Sequence, residues 1–183
     1  MVEPVQYTSI TNFLVGYEPL PTTSTSSLEL SNFNISPLLV SQTMQHLTKL
    51  TLTDCRSSGG FRELWRSTWM DCMLRLSELP ELVSLAMVGC DLEDENLQPI
   101  CRMEKLRELQ LGILIRHADR NHFSAEGLLP LTNLKLLRFL TMSISRHDSV
   151  GGNKLTKGDS HLLLKLIREL PQLQYLDCPL NST

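Results

Sequence analysis

The chain has 183 residues, a length that suits one domain and leaves little room for two. A net charge of −3, from 17 basic and 20 acidic residues, argues against a surface that tracks nucleic-acid phosphates, and 42% hydrophobic content argues against disorder. Leucine is the unusual residue, because the sequence contains 37 leucines, whereas Phe, Trp and Tyr together supply only 5%.

The start of the chain and the cysteines indicate a reducing compartment. Residues 1–7 contain neither a basic stretch nor an apolar stretch, so no secretory signal is predicted, and no apolar run approaches the roughly 20 residues of a membrane span. Cysteines lie at positions 55, 72, 90, 101 and 178. They show no CxxC spacing, which favours reduced thiols over disulfides or structural zinc. We therefore expect a cytoplasmic or nuclear protein without a cofactor.

One spacing of leucines recurs along the chain, namely LxxLxLxx followed by Asn or Cys. Residues 47–55 (LTKLTLTDC) match it fully, and residues 82–90 (LVSLAMVGC) match it with one methionine. Further copies begin at residues 106, 137 and 173, and a degenerate first copy begins at residue 25. Steps of 22 and 24 residues are usual for such repeats, whereas the steps of 35, 31 and 36 residues indicate insertions.

The spacing has a geometric explanation. In an extended segment, side chains two residues apart point the same way, so the leucines of xxLxL face inward and the residues between them face outward. A parallel strand also needs a crossover, usually a helix, before the next strand. Apolar residues at steps of three and four predict helices over 61–76, 94–101 and 160–170.

The segment 89–111 (GCDLEDENLQPICRMEKLRELQL) resembles a repeat of the leucine-rich repeat family. The resemblance is closest to the cysteine-containing and ribonuclease-inhibitor-like types, and residues 124–131 and 155–159 echo the same entry into a helix. It implies an α/β fold, a leucine-rich repeat solenoid of about six repeats. The parallel sheet would form the concave face, with helices and turns on the convex face.

The ends and the insertions depart from the regular template. We expect an N-terminal cap over 1–24 and the leucine-rich repeat domain over 25–183, within a single domain overall. The strand at 175–178 is expected to present an open edge that a partner can cover, because no amphipathic cap follows it. Insertions are expected at strand-to-helix edges, where long loops are often functional, over 56–60, 113–122 and 145–158.

Three short clusters suggest chemistry. His117, Asp119 and His122 have the residue types of a metal site, but further ligands would have to come from elsewhere, so a solvated loop is favoured. Residues 145–149 combine Ser, His and Asp, whereas catalytic triads assemble from distant segments. Residues 151–154 (GGNK) lack the spacing of a phosphate-binding loop. No catalytic, cofactor-binding or metal residue is predicted, and we do not expect an enzyme.

Two pairs of residues favour core packing over chemistry. Trp65 and Trp69 lie four residues apart on the predicted long helix and share its apolar stripe with Cys72, which favours the core over an anchor for a partner. Cys55 and Cys90 occupy the same template position. This predicts buried thiols that form a ladder along the fold, and not nucleophiles.

The variable strand positions would form the concave face. Most of these residues are small and uncharged. Two of them, Phe139 and Tyr175 in the last two strands, are aromatic. Aromatic side chains on a rigid strand suit the centre of a protein interface, although covering an under-capped end explains them equally well. The predicted protein-binding residues are Glu108, Gln110, Phe139, Thr141, Tyr175 and Asp177.

The sequence therefore predicts a non-catalytic protein-interaction module, acting as an adaptor or as a subunit of a larger complex. A protein partner is expected on the concave face or at the C-terminal edge, with no nucleic acid, membrane span or small-molecule substrate. The family resemblance also implies substrate recognition in a cullin-type ubiquitin ligase, although no F-box is recognisable. The alternative of a different class is an enzyme whose loops 113–122 and 145–158 converge on one site.

Overall fold

The computed structural model describes residues 7–11, 26–31, 34–35, 44–57, 62–90, 92–113, 124–144 and 159–178. The strands are β1 (Tyr7–Thr11), β2 (Ser27–Ser31), β3 (Asn34–Ile35), β4 (Lys49–Thr53), β5 (Arg56–Ser57), β6 (Ser84–Val88), β7 (Glu108–Ile113), β8 (Phe139–Ile144) and β9 (Tyr175–Asp177). The helices are α1 (Arg62–Ser77), α2 (Asp94–Ile100), α3 (Ala125–Leu128), which continues into a 3₁₀ helix (Leu129–Asn133), and α4 (Ser160–Glu169).

Seven strands form one parallel sheet in the order β1-β2-β4-β6-β7-β8-β9, which is also their order along the chain. Strands β3 and β5 form a separate parallel pair. Each strand of the large sheet lies beside the strand that precedes it in the sheet, and parallel neighbours need a crossover connection between them. The prediction of a mixed α/β fold with a parallel sheet is confirmed.

The strand register aligns the leucine template position by position. Leu85 lies between Leu50 and Leu109 on its two neighbouring strands. Two residues further on, Met87 lies between Leu52 and Leu111. All of these side chains are buried. Burying a leucine or methionine contributes about 1.5–3 kcal/mol, so the stacked rows supply much of the driving force that holds the strands together.

The helices form a second layer that follows the same order as the sheet. The three predicted helices are confirmed at α1, α2 and α4. Helix α1 contacts α2, α2 contacts α3 and the 3₁₀ helix, and these contact α4. None of the described helices combines the length and the apolar character needed to cross a membrane.

The two template cysteines link neighbouring strands as predicted. Both side chains are buried, and the Cys55 thiol donates to the carbonyl oxygen of Leu30 on the preceding strand, with 3.3 Å between Sγ and O. The Cys90 thiol donates in the same way to the carbonyl oxygen of Leu52 at 3.6 Å. The ladder of buried thiols is therefore confirmed, and each thiol adds a hydrogen bond between neighbouring strands.

A left-handed residue precedes each of these cysteines. Asp54 has φ of 53° and Gly89 has φ of 68°. Their backbone N–H groups donate to the carbonyl oxygens of Val88 and Gly112 on the next strand, both at 2.8 Å. The turn thus extends the ladder of hydrogen bonds by one residue while it rotates the cysteine into the core.

Trp69 packs in the core and is fully buried, which confirms that prediction for this residue. Its neighbours on α1, Cys72 and Met73, are also buried. The side chain of Trp65 lies outside the described residues. The long helix thus contributes a bulky aromatic group to the interior, where a large apolar side chain contributes most to stability.

The leucine rows lose burial at the last strand. Leu173 and Leu176 are only partly buried, whereas Leu106 and Leu109, at the same template positions two strands earlier, are 0% and 1% exposed. Among the described strands, β9 is the last in the sheet and pairs with β8 alone. Less apolar area is therefore removed from water at this edge.

Strand β1 extends the sheet into the predicted cap. It pairs with β2 over five residues, from Tyr7 with Ser27 to Thr11 with Ser31. The predicted 1–24 cap therefore contributes one strand to the large sheet, in addition to the strands of the repeats predicted from residue 25 onward. The division between a cap at 1–24 and a repeat domain at 25–183 stays a prediction.

Candidate protein-binding face

The six predicted binding residues form a regular array on β7, β8 and β9, which we call the six-residue grid. The first row contains direct partners across the three strands, Glu108, Phe139 and Tyr175. The second row lies two residues further along and contains Gln110, Thr141 and Asp177. Neighbouring strands lie about 4.8 Å apart and same-face residues about 6.6 Å apart, so the grid measures roughly 10 by 7 Å between Cα atoms.

The grid residues are accessible, and the residues between them are buried. Phe139 is 42% exposed and Tyr175 is 51% exposed, while Thr141 is half-buried and the remaining three side chains are exposed. Leu109 and Leu140, which lie between the two rows, are 1% and 0% exposed. The structure thus brings all six predicted residues together on one face of the sheet; their role in binding stays a prediction.

Ser84 holds the Glu108 carboxylate in place. Its hydroxyl donates to Oε2 of Glu108 at 2.9 Å, and the serine itself is only 9% exposed. Ser84 is the direct partner of Glu108 on β6, in line with the first row of the grid. Sequence reasoning missed this support, although the two residues share a template position and the shared position was the available signal.

Helix α4 carries two exposed apolar residues. The helix buries Leu163 and Leu166, whereas Leu164 is 53% exposed and Ile167 is 42% exposed. A helix contacts the core through one face only, and successive residues are rotated by about 100°. The signal was present in the sequence, because the apolar residues 162–164 and 166–167 form a stripe wider than one face.

A polar link joins the starts of α2 and α3. The Asp94 carboxylate accepts from the Ser124 backbone N–H at 2.7 Å through Oδ1 and from the Ser124 hydroxyl at 2.8 Å through Oδ2. The Ser124 hydroxyl oxygen in turn accepts from the Gly127 N–H at 3.0 Å, which caps α3. These bonds satisfy groups within the fold and position no reactive atom, so we assign them a structural role.

The thiols are poor nucleophiles. Burial, assisted by the nearby Asp71 carboxylate, raises the pKa of Cys72 to about 12. Burial also raises the pKa of Cys101 to about 12 and, with Asp177 adding to the effect, the pKa of Cys178 to about 11. All five cysteines lie in the described residues and none forms a disulfide. Because the thiolate is the reactive form, these thiols favour structure over catalysis at neutral pH.

The remaining candidate clusters lie outside the described residues. This applies to His117, Asp119 and His122, to the Ser-His-Asp segment at 145–149 and to the glycine-rich segment at 151–154. Over the part of the chain that the structure describes, no three His, Cys, Asp or Glu side chains come together in a way that suits a metal ion.

Comparison with solved structures identifies the kind of fold. No family model and no curated protein matches the sequence. The structure titled leiomodin-1 actin-binding site 2 is similar, with a TM-score of 0.53 and 18% identity over 80% of this chain and 78% of that chain. This neighbour is a leucine-rich-repeat protein. The fold is leucine-rich-repeat-like.

An internalin (inlF) from Listeria monocytogenes str. 4b F2365 also matches, with a TM-score of 0.40 and 19% identity over 83% of this chain. The match spans 54% of the internalin chain. At these identities the likeness concerns the fold, so the function of the leucine-rich-repeat-like sheet has to be argued from its own surface.

Proposed function

We propose that this chain is a non-catalytic protein-interaction module that acts as an adaptor or as a subunit of a larger complex. The observation that carries the proposal is the pair of neighbouring exposed aromatic side chains, Phe139 and Tyr175, at the first row of the six-residue grid. Aromatic residues on rigid strands supply large contact areas at little cost in side-chain entropy, which is typical of interface hot spots.

The proposed architecture is a curved solenoid of about six repeats of the cysteine-containing, ribonuclease-inhibitor-like type, with the grid on its concave face. The in-order parallel sheet and the cysteine ladder support this subtype. Curvature follows when the helical layer is wider than the strand layer, and it makes the strand face concave. Among the described strands β9 pairs with β8 alone, and its other edge is a second surface on which we propose that the same partner extends.

Three observations support protein binding over catalysis. The raised thiol pKa values disfavour a cysteine nucleophile, and the described residues hold no metal-binding group. Proteins of this fold are typically interaction modules, and the similar leiomodin-1 structure is itself an actin-binding site. The proposal places this activity in the cytoplasm or nucleus, where reduced cysteines persist.

The test compares partner capture by three forms of the chain. Tagged natural chain, Phe139→Ala/Tyr175→Ala and a control, Leu164→Ala/Ile167→Ala, are used to capture proteins from the native cell, with quantitative mass spectrometry as the measurement. The control removes exposed apolar side chains of α4 that do not belong to the grid. We expect the grid variant to lose at least about tenfold in affinity for the captured partner, the equivalent of about 1.4 kcal/mol.

Thermal unfolding of all three forms verifies that the substitutions leave the fold intact. Retention of the same partners at the same affinity by the folded grid variant would contradict the proposal. Loss of the partners by the α4 variant alone would move the interface to the helical layer and would contradict it equally.

A further inference from the structure

We infer that the six-residue grid recognises an extended segment of a partner protein that carries lysine or arginine side chains. The inference rests on the proposed function, since it specifies the chemistry of the partner that binds the same face. It is argued from the charge of the grid, the position of its aromatic rings and the spacing between its carboxylates.

The grid contains two carboxylates and no basic side chain. Glu108 and Asp177 occupy opposite corners, and the other four positions carry two aromatic rings, an amide and a hydroxyl. Exposed carboxylates attract cationic groups and repel phosphates. This face therefore suits a basic protein segment and disfavours a nucleic acid or an acidic peptide.

Each carboxylate lies next to an aromatic ring. Phe139 is the direct neighbour of Glu108 on the adjacent strand, and Tyr175 precedes Asp177 by two residues on the same face of β9. A cation within about 6 Å of a ring centre is attracted by the ring face, and it also pairs with a carboxylate. Lysine and arginine are the side chains that satisfy both neighbours at once, and their apolar stems cover the ring edges.

The distance between the two corners selects a spacing in the partner. Two strand-to-strand steps and one two-residue step place Glu108 and Asp177 about 12 Å apart. In an extended segment, side chains at positions i and i+4 lie about 13 Å apart on the same side. Two basic residues at that spacing can therefore reach both corners, with the residue midway between them above Phe139 and Thr141. The hydrogen bond from Ser84 keeps the Glu108 corner fixed.

The test uses defined peptides and the full chain. A fluorescein-labelled Gly/Ser peptide carries arginines at its third and seventh positions and leucine at its fifth. A matched peptide has glutamates in place of the arginines. Fluorescence anisotropy measures Kd for each, and amide shifts in the isotope-labelled chain locate the site. We expect the arginine peptide to bind about tenfold or more tightly than the glutamate peptide and to shift signals of β7, β8 and β9.

Isosteric variants then test the carboxylates. Glu108→Gln/Asp177→Asn is expected to weaken binding of the arginine peptide about tenfold, because it removes both charges while preserving shape and the acceptor for Ser84. The control, Glu104→Gln/Glu126→Gln, makes the same change in net charge at exposed positions outside the sheet and is expected to leave Kd unchanged. Equal binding of both peptides, no binding of the arginine peptide, shifts away from these strands, or equal weakening by the control would each overturn the inference.

Failure of this inference can be distinguished from failure of the proposed function. If the partners captured from the cell depend on Phe139 and Tyr175 but are retained fully by Glu108→Gln/Asp177→Asn, the basic segment is wrong and the binding face stands. If neither pair of substitutions changes capture, the binding face itself is wrong.

Discussion

At the scale of single residues, the turn after each template strand depends on backbone conformation as well as on side-chain chemistry. Gly89 adopts its left-handed conformation without a steric penalty, whereas Asp54 adopts the same conformation with a Cβ. Aspartate is among the few residues that tolerate this region. The repeats therefore share a geometry at a position where their residues differ, and the buried thiol that follows is the same in both.

The buried thiols make the free energy of unfolding depend on pH in the alkaline range. Cys72 and Cys101 have a pKa of about 12 in the folded chain against 9.0 for an ordinary thiol. Above pH 9 the unfolded chain releases protons that the folded chain keeps, so the free energy of unfolding falls as the pH rises from 9 towards 12; below pH 9 these groups contribute nothing to the pH dependence. Each thiol contributes about 1.4 kcal/mol per pH unit in that window.

We expect urea unfolding to show this loss between pH 8 and pH 10 and to show a smaller loss for Cys72→Ala/Cys101→Ala. The difference between the two chains should be about 2.7 kcal/mol, since all other titrating groups are common to both. The same decrease in both chains would show that the thiols titrate normally in the folded protein.

At the scale of elements, the crossovers are linked to one another as well as to the sheet. Asp94, at the start of α2, accepts two hydrogen bonds from Ser124, which caps α3. A Cβ added at Gly127 would collide with Oδ1 of Asp94, so glycine is the residue that fits beside this link. The link fixes the spacing of neighbouring helices at the end nearest to the strand-to-helix loops.

The effect of Gly127→Ala on the free energy of unfolding should therefore depend on whether Asp94 is present. Alanine improves intrinsic helix stability by about 1 kcal/mol, but in the natural chain we expect a net loss of about 1–2 kcal/mol, because the Asp94 carboxylate must move and gives up its bonds to Ser124. In an Asp94→Ala background, the same substitution is expected to be neutral or stabilising. Urea unfolding of the four chains measures this coupling, and additive effects of the two substitutions would contradict it.

At the scale of the whole molecule, contacts run between neighbours in the chain order of the sheet, so each end is stabilised from one side only. Strand β1 covers the edge of β2 through five paired residues, whereas the leucines of β9 are covered less well than those of the inner strands. Stability in such stacks is approximately a sum over units and their interfaces. Loss of one terminal strand therefore destabilises the neighbouring strand most.

Removal of residues 1–11, which deletes β1, should destabilise the chain by a few kcal/mol and leave the edge of β2 open to association. Removal of residues 1–6 is the matched control, because it leaves β1 in place. Thermal unfolding and size-exclusion chromatography measure the two effects. Equal melting temperatures for the two truncated chains would show that β1 does not stabilise β2.

The repeat architecture of this chain was predictable from its sequence. Leucine or methionine at the inward strand positions, with cysteine after two of the strands, specifies a repeated unit, because the period of two in a strand and of 3.6 in a helix can be recognised from local spacing. The template strands from β2 onward, the three longer helices and the buried thiol ladder were predictable for that reason, whereas strand β1 was not. The six grid residues were likewise predictable as a set, because they occupy the outward positions of the last three template strands.

Contacts between residues of neighbouring repeats, and the exposure of individual side chains, depend on the tertiary structure. The pairing of Glu108 with Ser84, the exposure of Leu164 and Ile167 and the link from Asp94 to Ser124 each depend on how far one unit is shifted and rotated against the next. The insertion at 113–122 separates Asp94 from Ser124, and spacing along the chain carries no information across it. The grid became a face of defined size and charge only when three strands stacked in register, because adjacency between strands is a property of the stack.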